Sequence, residues 1–193
     1  MELLKGFSDP VADAQRTFRL VLKAMSEPGQ IVTFTDCPDW QPLSPAICAA
    51  LLTLADRDTP LYLTPLLCNE QICHNLRFHT GVTLTEQPAE AELAVLDEAF
   101  PARLLEAFAC GNSESPHNST TLLIDLPTFT DAPPLRISGP GIEFPRTVNL
   151  PLPEAVRGYL LQRPTPFPLG LDFIFTRGRQ LLAIPRTTHV EVD

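Results

Sequence analysis

The chain has 193 residues, 44% of them hydrophobic and 19% charged, with a formal net charge of −9. That balance is ordinary for a soluble globular protein, and the acidic excess argues against sequence-independent nucleic-acid binding, which needs a basic footprint. The most apolar stretch, Ala46 to Ala55, is roughly half of the ~20 residues that cross a bilayer, so no membrane contact is expected.

The first ten residues, MELLKGFSDP, show no basic segment followed by an apolar core, the mark of a secretory signal. The five cysteines therefore read as reduced thiols of a cytoplasmic protein. One domain over residues 1–193 is expected from the length. Asp9-Pro10 is a helix start, with Asp9 as cap and proline in the first turn. Val11, Ala14, Phe18, Leu22 and Met25 follow at helical spacing until Pro28-Gly29. The opposite face carries Arg16, Arg19 and Lys23. This basic stripe reads either as a solvated face or as a contact for an acidic partner or a phosphate.

Gln30 to Thr35 reads as a strand. Ser44-Pro45 caps a second helix running through Ala55, apolar nearly all round and so buried. Leu61 to Leu63 is a short strand, Asn69 to Phe78 a third helix, and Leu84 and Ala91 to Leu96 are extended. Pro101 to Ala109 predicts a helix, Thr121 to Leu126 and Leu135 to Ser138 predict core strands, and Pro153 to Gln162 predicts another helix. Ser138-Gly139-Pro140-Gly141-Ile142 lacks the Gly-Lys-Ser/Thr ending of a phosphate loop and reads as a tight turn. Leu171 to Phe175 and Leu181 to Ile184, around Arg177-Gly178, read as a β-hairpin or two neighbouring strands. Strands alternating with helices predict an α/β domain with a mixed sheet flanked by helices. The 21 prolines are spread along the chain, which implies short elements and stiff connections.

Three groups of side chains could carry chemistry. Asp172, Arg186, Thr187, Thr188 and His189 crowd the end of the last apolar run. Arg186 can fork onto a phosphate or phosphonate with two threonine hydroxyls beside it, or it can pair with Asp172 across neighbouring strands and lock the tail. Arg77 and His79, at the end of the third helix, can donate to an anion, with Asp56 and Asp58 placed to orient them; alternatively His79 caps helix carbonyls. Cys68, Cys73, His74 and His79 lie close in sequence but match no zinc spacing, so no metal is expected. No catalytic residue can be assigned.

The segments Pro166-Phe167-Pro168-Leu169-Gly170-Leu171-Asp172 and Ala183 to Val192 (AIPRTTHVEV) resemble those of the H-subunit family of bacterial carbon–phosphorus lyase. Phe18 to Gly29, Leu51 to Pro60 and Leu76 to Thr80 are similar to further blocks of that family, in order along nearly the whole chain. The resemblance implies a fold similar to the large domain of pyridoxal-phosphate-dependent transferases. It implies a homodimer that joins subunits G, I and J in the core complex of phosphonate catabolism. Subunits G, H, I and L would form α-D-ribose 1-methylphosphonate 5-triphosphate from ATP and methylphosphonate, releasing adenine, before subunit J breaks the carbon–phosphorus bond. The chain would then either contribute ATP- or phosphonate-binding residues or serve as a non-catalytic scaffold. Pyridoxal phosphate needs a Schiff-base lysine. Of the 14 Lys and Arg residues only Lys5 and Lys23 are lysines, one near the terminus and one on the first helix's polar face. No cofactor is expected.

Overall fold

The computed structural model describes residues 2–192. Asp9 caps α1 (Pro10–Ser26) by accepting from Ala12 N, and Pro10 occupies the first turn, where an N–H would lack a helical partner anyway. Ser44 and Asn69 cap α2 (Pro45–Leu54) and α3 (Glu70–Thr80) in the same manner, through Ile47 N and Ile72 N. Two shorter helices follow, α4 (Arg103–Ala107) and α5 (Glu154–Gln162). The strands are β1 (Val32–Thr33), β2 (Leu61–Leu63), β3 (Leu93–Leu96), β4 (Thr121–Asp125), β5 (Leu135–Ser138), β6 (Arg146–Val148), β7 (Asp172–Arg177), β8 (Gln180–Ile184) and β9 (His189–Val192).

Six of them form a mixed sheet in the order β1-β8-β7-β4-β3-β2. β2, β3, β4 and β7 run parallel, while β8 turns back antiparallel on β7 and carries β1 on its far edge. β6, β5 and β9 make a separate antiparallel sheet. Alternation along the strands divides the core in two. Leu93, Val95, Leu123, Ile174, Leu181 and Ala183 face α1, α2 and α3. Ala94, Leu96, Ile124, Phe173, Phe175 and Ile184 face the other way, onto α4, α5 and the small sheet. Both faces being covered explains why the central strands read as continuous apolar runs. Burying Ile47 or Leu51 of α2, each at most 1% exposed, contributes about 2 kcal/mol of transfer free energy per side chain.

The hairpin of β7 and β8 turns at Gly178, whose φ of +57° is the left-handed conformation glycine adopts most readily. Its carbonyl accepts from Ala46 N at 2.8 Å, which fixes the start of α2 against the sheet.

Of the apolar stripe of α1, Met25 packs against the core, but most of the rest turns outward. Val11, Phe18 and Leu22 are 81%, 49% and 55% exposed, while Asp13, Thr17, Val21 and Ala24 are buried. The cause is local. Asp13 reaches back to accept from Asp9 N at 2.9 Å and pairs with Arg16, so the N-terminal turn is satisfied with Asp13 inward. Leu84 makes only a single bridge to Leu61. β6 and β9, both short and polar on one face, extend the fold beyond the one mixed sheet that the alternation predicts.

Candidate functional site

Asp172 opens β7 and Arg186 follows β8. Because β8 is antiparallel, its end lies at the edge where the parallel strands begin, whereas ligand crevices of α/β sheets open at the opposite, carboxyl edge. The Arg186 cluster therefore stands at the amino edge of the parallel strands. The two residues close on each other. Arg186 Nε donates to Asp172 Oδ1 and Oδ2 at 3.2 and 3.1 Å, its backbone N–H donates to Oδ1 at 2.8 Å, and Nη2 bonds Oδ2 as well. Nη1 donates to Pro116 O at 2.8 Å, and Nη2 also reaches Ser119 Oγ. Both side chains are nearly buried, at 15% and 11% exposure. The guanidinium thereby joins β7, the exit of β8 and the loop before β4. Ser119 and Pro116 carried no sequence signal as its partners.

Around this pair, Thr188 is buried and Thr187 half-buried, while His189 begins β9 and points to solvent. Arg163, just past α5 with φ +44°, bonds Thr188 O through Nη2. Among the described residues, Thr188 Oγ1 and Arg163 Nε find no hydrogen-bond partner. Burial holds the Arg163 guanidinium below the usual arginine value, opposed by Tyr159 and Asp172. Tyr159 Oη accepts from Leu171 N at 3.0 Å, and burial pushes that phenol up.

α3 carries the second group. Arg77 is exposed and lines a groove of about 850 Å³ beside edge strand β2, with His74, Asn69, Glu70 and Glu86 on its walls. Among the described residues Arg77 forms no ion pair. His79 turns the other way. Its Nε2 donates to Leu4 O at 2.9 Å and its ring packs on Trp40 at 5.2 Å between centroids. With Leu4 N donating to Asn75 Oδ1 and Trp40 Nε1 to Lys5 O, it straps the N-terminal segment over α3. Asp56 does not orient Arg77 or His79: it closes its own turn, accepting from Asp58 N at 2.9 Å and Thr59 Oγ1 at 2.7 Å. The Thr59 hydroxyl is the main reason its carboxyl lies below the usual range.

At the carboxyl edge of the sheet, Thr176 Oγ1 donates to Asp125 Oδ1 at 2.7 Å and lies 3.2 Å from Ser44 Oγ. This chain of hydroxyls joins β4, β7 and the cap of α2, and neither Asp125 nor Thr176 carries a sequence signal for it. On α1, Lys23 pairs with Glu27 and Arg16 with Asp13 and Asp36, whereas Arg19 forms no ion pair among the described residues. Lys5 lies in the N-terminal strap, and Lys23 on the solvent side of α1. Beside the exposed stripe runs a shallow groove of about 480 Å³, lined by Phe18, Leu22, Met25, Leu54, Leu93 and His117 among others. No group of three metal-ligating side chains occurs among the described residues, and no helix there is long and apolar enough to cross a membrane.

Residues 5–191 match the family described as bacterial phosphonate metabolism protein (PhnH). The chain belongs to this family. It is 33% identical over 188 residues to the alpha-D-ribose 1-methylphosphonate 5-triphosphate synthase subunit PhnH of Rhizobium meliloti (strain 1021), covering 96% of this chain and 94% of that protein. It is 31% identical over 182 residues to the putative C-P lyase subunit protein HtxG of Stutzerimonas stutzeri, covering 92% of this chain and 86% of the relative. The match to the PhnH family spans both sheets and all five helices described above.

Proposed function

We propose that this PhnH-family chain is an assembly subunit of a cytoplasmic carbon–phosphorus lyase complex, and that the outer face of α1 docks an acidic surface of another subunit. The observation that carries the reading is the outward turn of Val11, Phe18 and Leu22, with Arg16, Arg19 and Lys23 exposed on the same helix. A row of apolar side chains left in solvent next to a groove is the pattern of a protein contact, and Arg19, exposed and without an ion pair among the described residues, favours an acidic partner. Both relatives named above support membership of such a complex. The homodimer, the contacts with subunits G, I and J, and the likeness to the large domain of pyridoxal-phosphate transferases come to this reading from the family resemblance. The reaction has the same source: α-D-ribose 1-methylphosphonate 5-triphosphate is formed with subunits G, I and L, and adenine is released.

In this reading Arg186, Asp172, Thr187 and Thr188 hold the fold, and His79 anchors the N-terminal strap. A second reading is favoured by the unpaired Arg77: the groove beside β2 holds the triphosphate or phosphonate, with Arg77 and His74 as donors. A reconstituted reaction of subunits G, I and L with this chain separates the two. Arg19→Glu is expected to lower adenine release in step with the amount of complex recovered, and Arg77→Ala to leave both unchanged. Loss of adenine release in Arg77→Ala with the complex intact would instead place the substrate in the groove.

A further inference from the structure

Cys68 and Cys73 stand on the wall of the groove beside β2, with their Sγ atoms 2.8 Å apart. Helix geometry fixes that approach. Asn69 is the cap of α3, so Cys68 precedes the cap and Cys73 is the fourth helical residue, two positions whose side chains meet across a helix start. The backbone is held on both sides, Cys68 N donating to Thr64 O at 3.1 Å and Cys73 N to Asn69 O at 2.9 Å. Access differs between them: Cys68 is exposed, and Cys73 is 8% exposed. The other cysteines, Cys37, Cys48 and Cys110, lie in separate segments. An accessible thiol touching a shielded one is the arrangement of an attacking and a resolving cysteine.

We propose that Cys68 and Cys73 form a reversible disulfide, making this rim of the groove a thiol-oxidation site that low-molecular-weight disulfides of the glutathione type close. Cys68 thiolate attacks one sulfur of the small disulfide, whose S–S bond breaks and releases one thiol. Cys73 thiolate then attacks the Cys68 sulfur of the mixed disulfide, forming the Cys68–Cys73 bond and releasing the second thiol. The two protons of the cysteines end on the two released thiols, and the small disulfide is the oxidant. The order of attack follows from the environment. Burial first, and the neighbouring Cys68 thiol second, push the Cys73 thiol up to about 12, with Arg77 opposing the rise, and with Cys68 the exposed member of the pair the first attack falls to Cys68. Closure ties the segment between β2 and α3 to the helix it precedes.

The test uses the full chain, purified reduced and incubated with glutathione disulfide. Thiol titration in denaturant and peptide mapping by mass then follow. Wild type is expected to lose two of its five thiols and to yield a linked Cys68–Cys73 peptide pair without bound glutathione. Cys73→Ser is expected to stop at one glutathione on Cys68, and Cys110→Ser to close as wild type does. A wild-type chain that keeps glutathione on Cys68, keeps all its thiols, or links other cysteines overturns the proposal, and the wild-type map alone decides should a variant fold poorly.

Discussion

Arg186→Ala leaves the Asp172 carboxylate, 11% exposed as a side chain, with the Arg186 backbone N–H as its remaining partner of those seen in the structure. It also removes the donors to Pro116 O and Ser119 Oγ. Taking one member from a buried ion pair costs about 3–5 kcal/mol, because the other charge stays desolvated without compensation. The residual exposure of both groups places this pair at the lower end, about 3 kcal/mol. At this chain length that corresponds to a melting temperature lower by about 6–12 °C. Urea unfolding followed by circular dichroism gives the free energy directly, provided the transition is two-state. The double variant Arg186→Met/Asp172→Asn is expected to recover more than half of the loss, since it removes the stranded charge together with its partner. Should Arg186→Ala unfold within about 0.5 kcal/mol of wild type while adenine release falls in an intact complex, the lock is wrong and the arginine serves a ligand.

The buried Cys48 thiol is pushed up to about 12 by burial, above its unfolded value. Its stabilising contribution is therefore complete below about pH 9 and is lost as pH rises toward 12. Under reducing conditions Cys48→Ala is expected to flatten the fall in urea stability between about pH 8 and about pH 10, a fall of up to roughly 1.4 kcal/mol per pH unit from this group; an equally steep fall in the variant would assign it elsewhere. At Gly141 the φ is +81° and an added Cβ would stand 2.0 Å from Ser26 O, so Gly141→Ala is expected to cost more than about 2 kcal/mol in the same assay. Gly178→Asn, at φ +57° with open space around it, should cost less than about 1 kcal/mol, and a comparable loss at both sites would remove steric contact as the cause.

How far the sequence discloses this molecule depends on the range of the forces involved. Caps are local, and Asp9, Ser44 and Asn69 start the helices they mark. Apolar runs are local too, so β4, β5 and the β7–β8 hairpin fall where the pattern puts them. The orientation of α1 is not local. Its apolar stripe is real, but the sheet takes the Asp13, Thr17 and Val21 side, since Asp13 is satisfied by the helix's own first turn. The pairing of Arg186 with Asp172 was one of two local possibilities, and only the antiparallel return of β8 brings them together at the edge where the parallel strands begin. Arg77 and His79 are two residues apart on a helix and so point to different sides, one to the groove and one to the N-terminal strap. Helix spacing is at odds with both donating to one anion; the strap itself, tied by contacts some seventy residues apart, had no sequence signal.

The docking face of α1 is tested most directly by Phe18→Glu/Leu22→Glu in a tagged chain purified from cells that express the other carbon–phosphorus lyase subunits. Both positions are about half exposed, so the variant should unfold within about 0.5 kcal/mol of wild type. It is expected to be recovered folded but without its partner subunits, a loss of at least about tenfold in copurified protein for a contact with a buried apolar centre. A variant that brings down the full complement of subunits would contradict docking through this face.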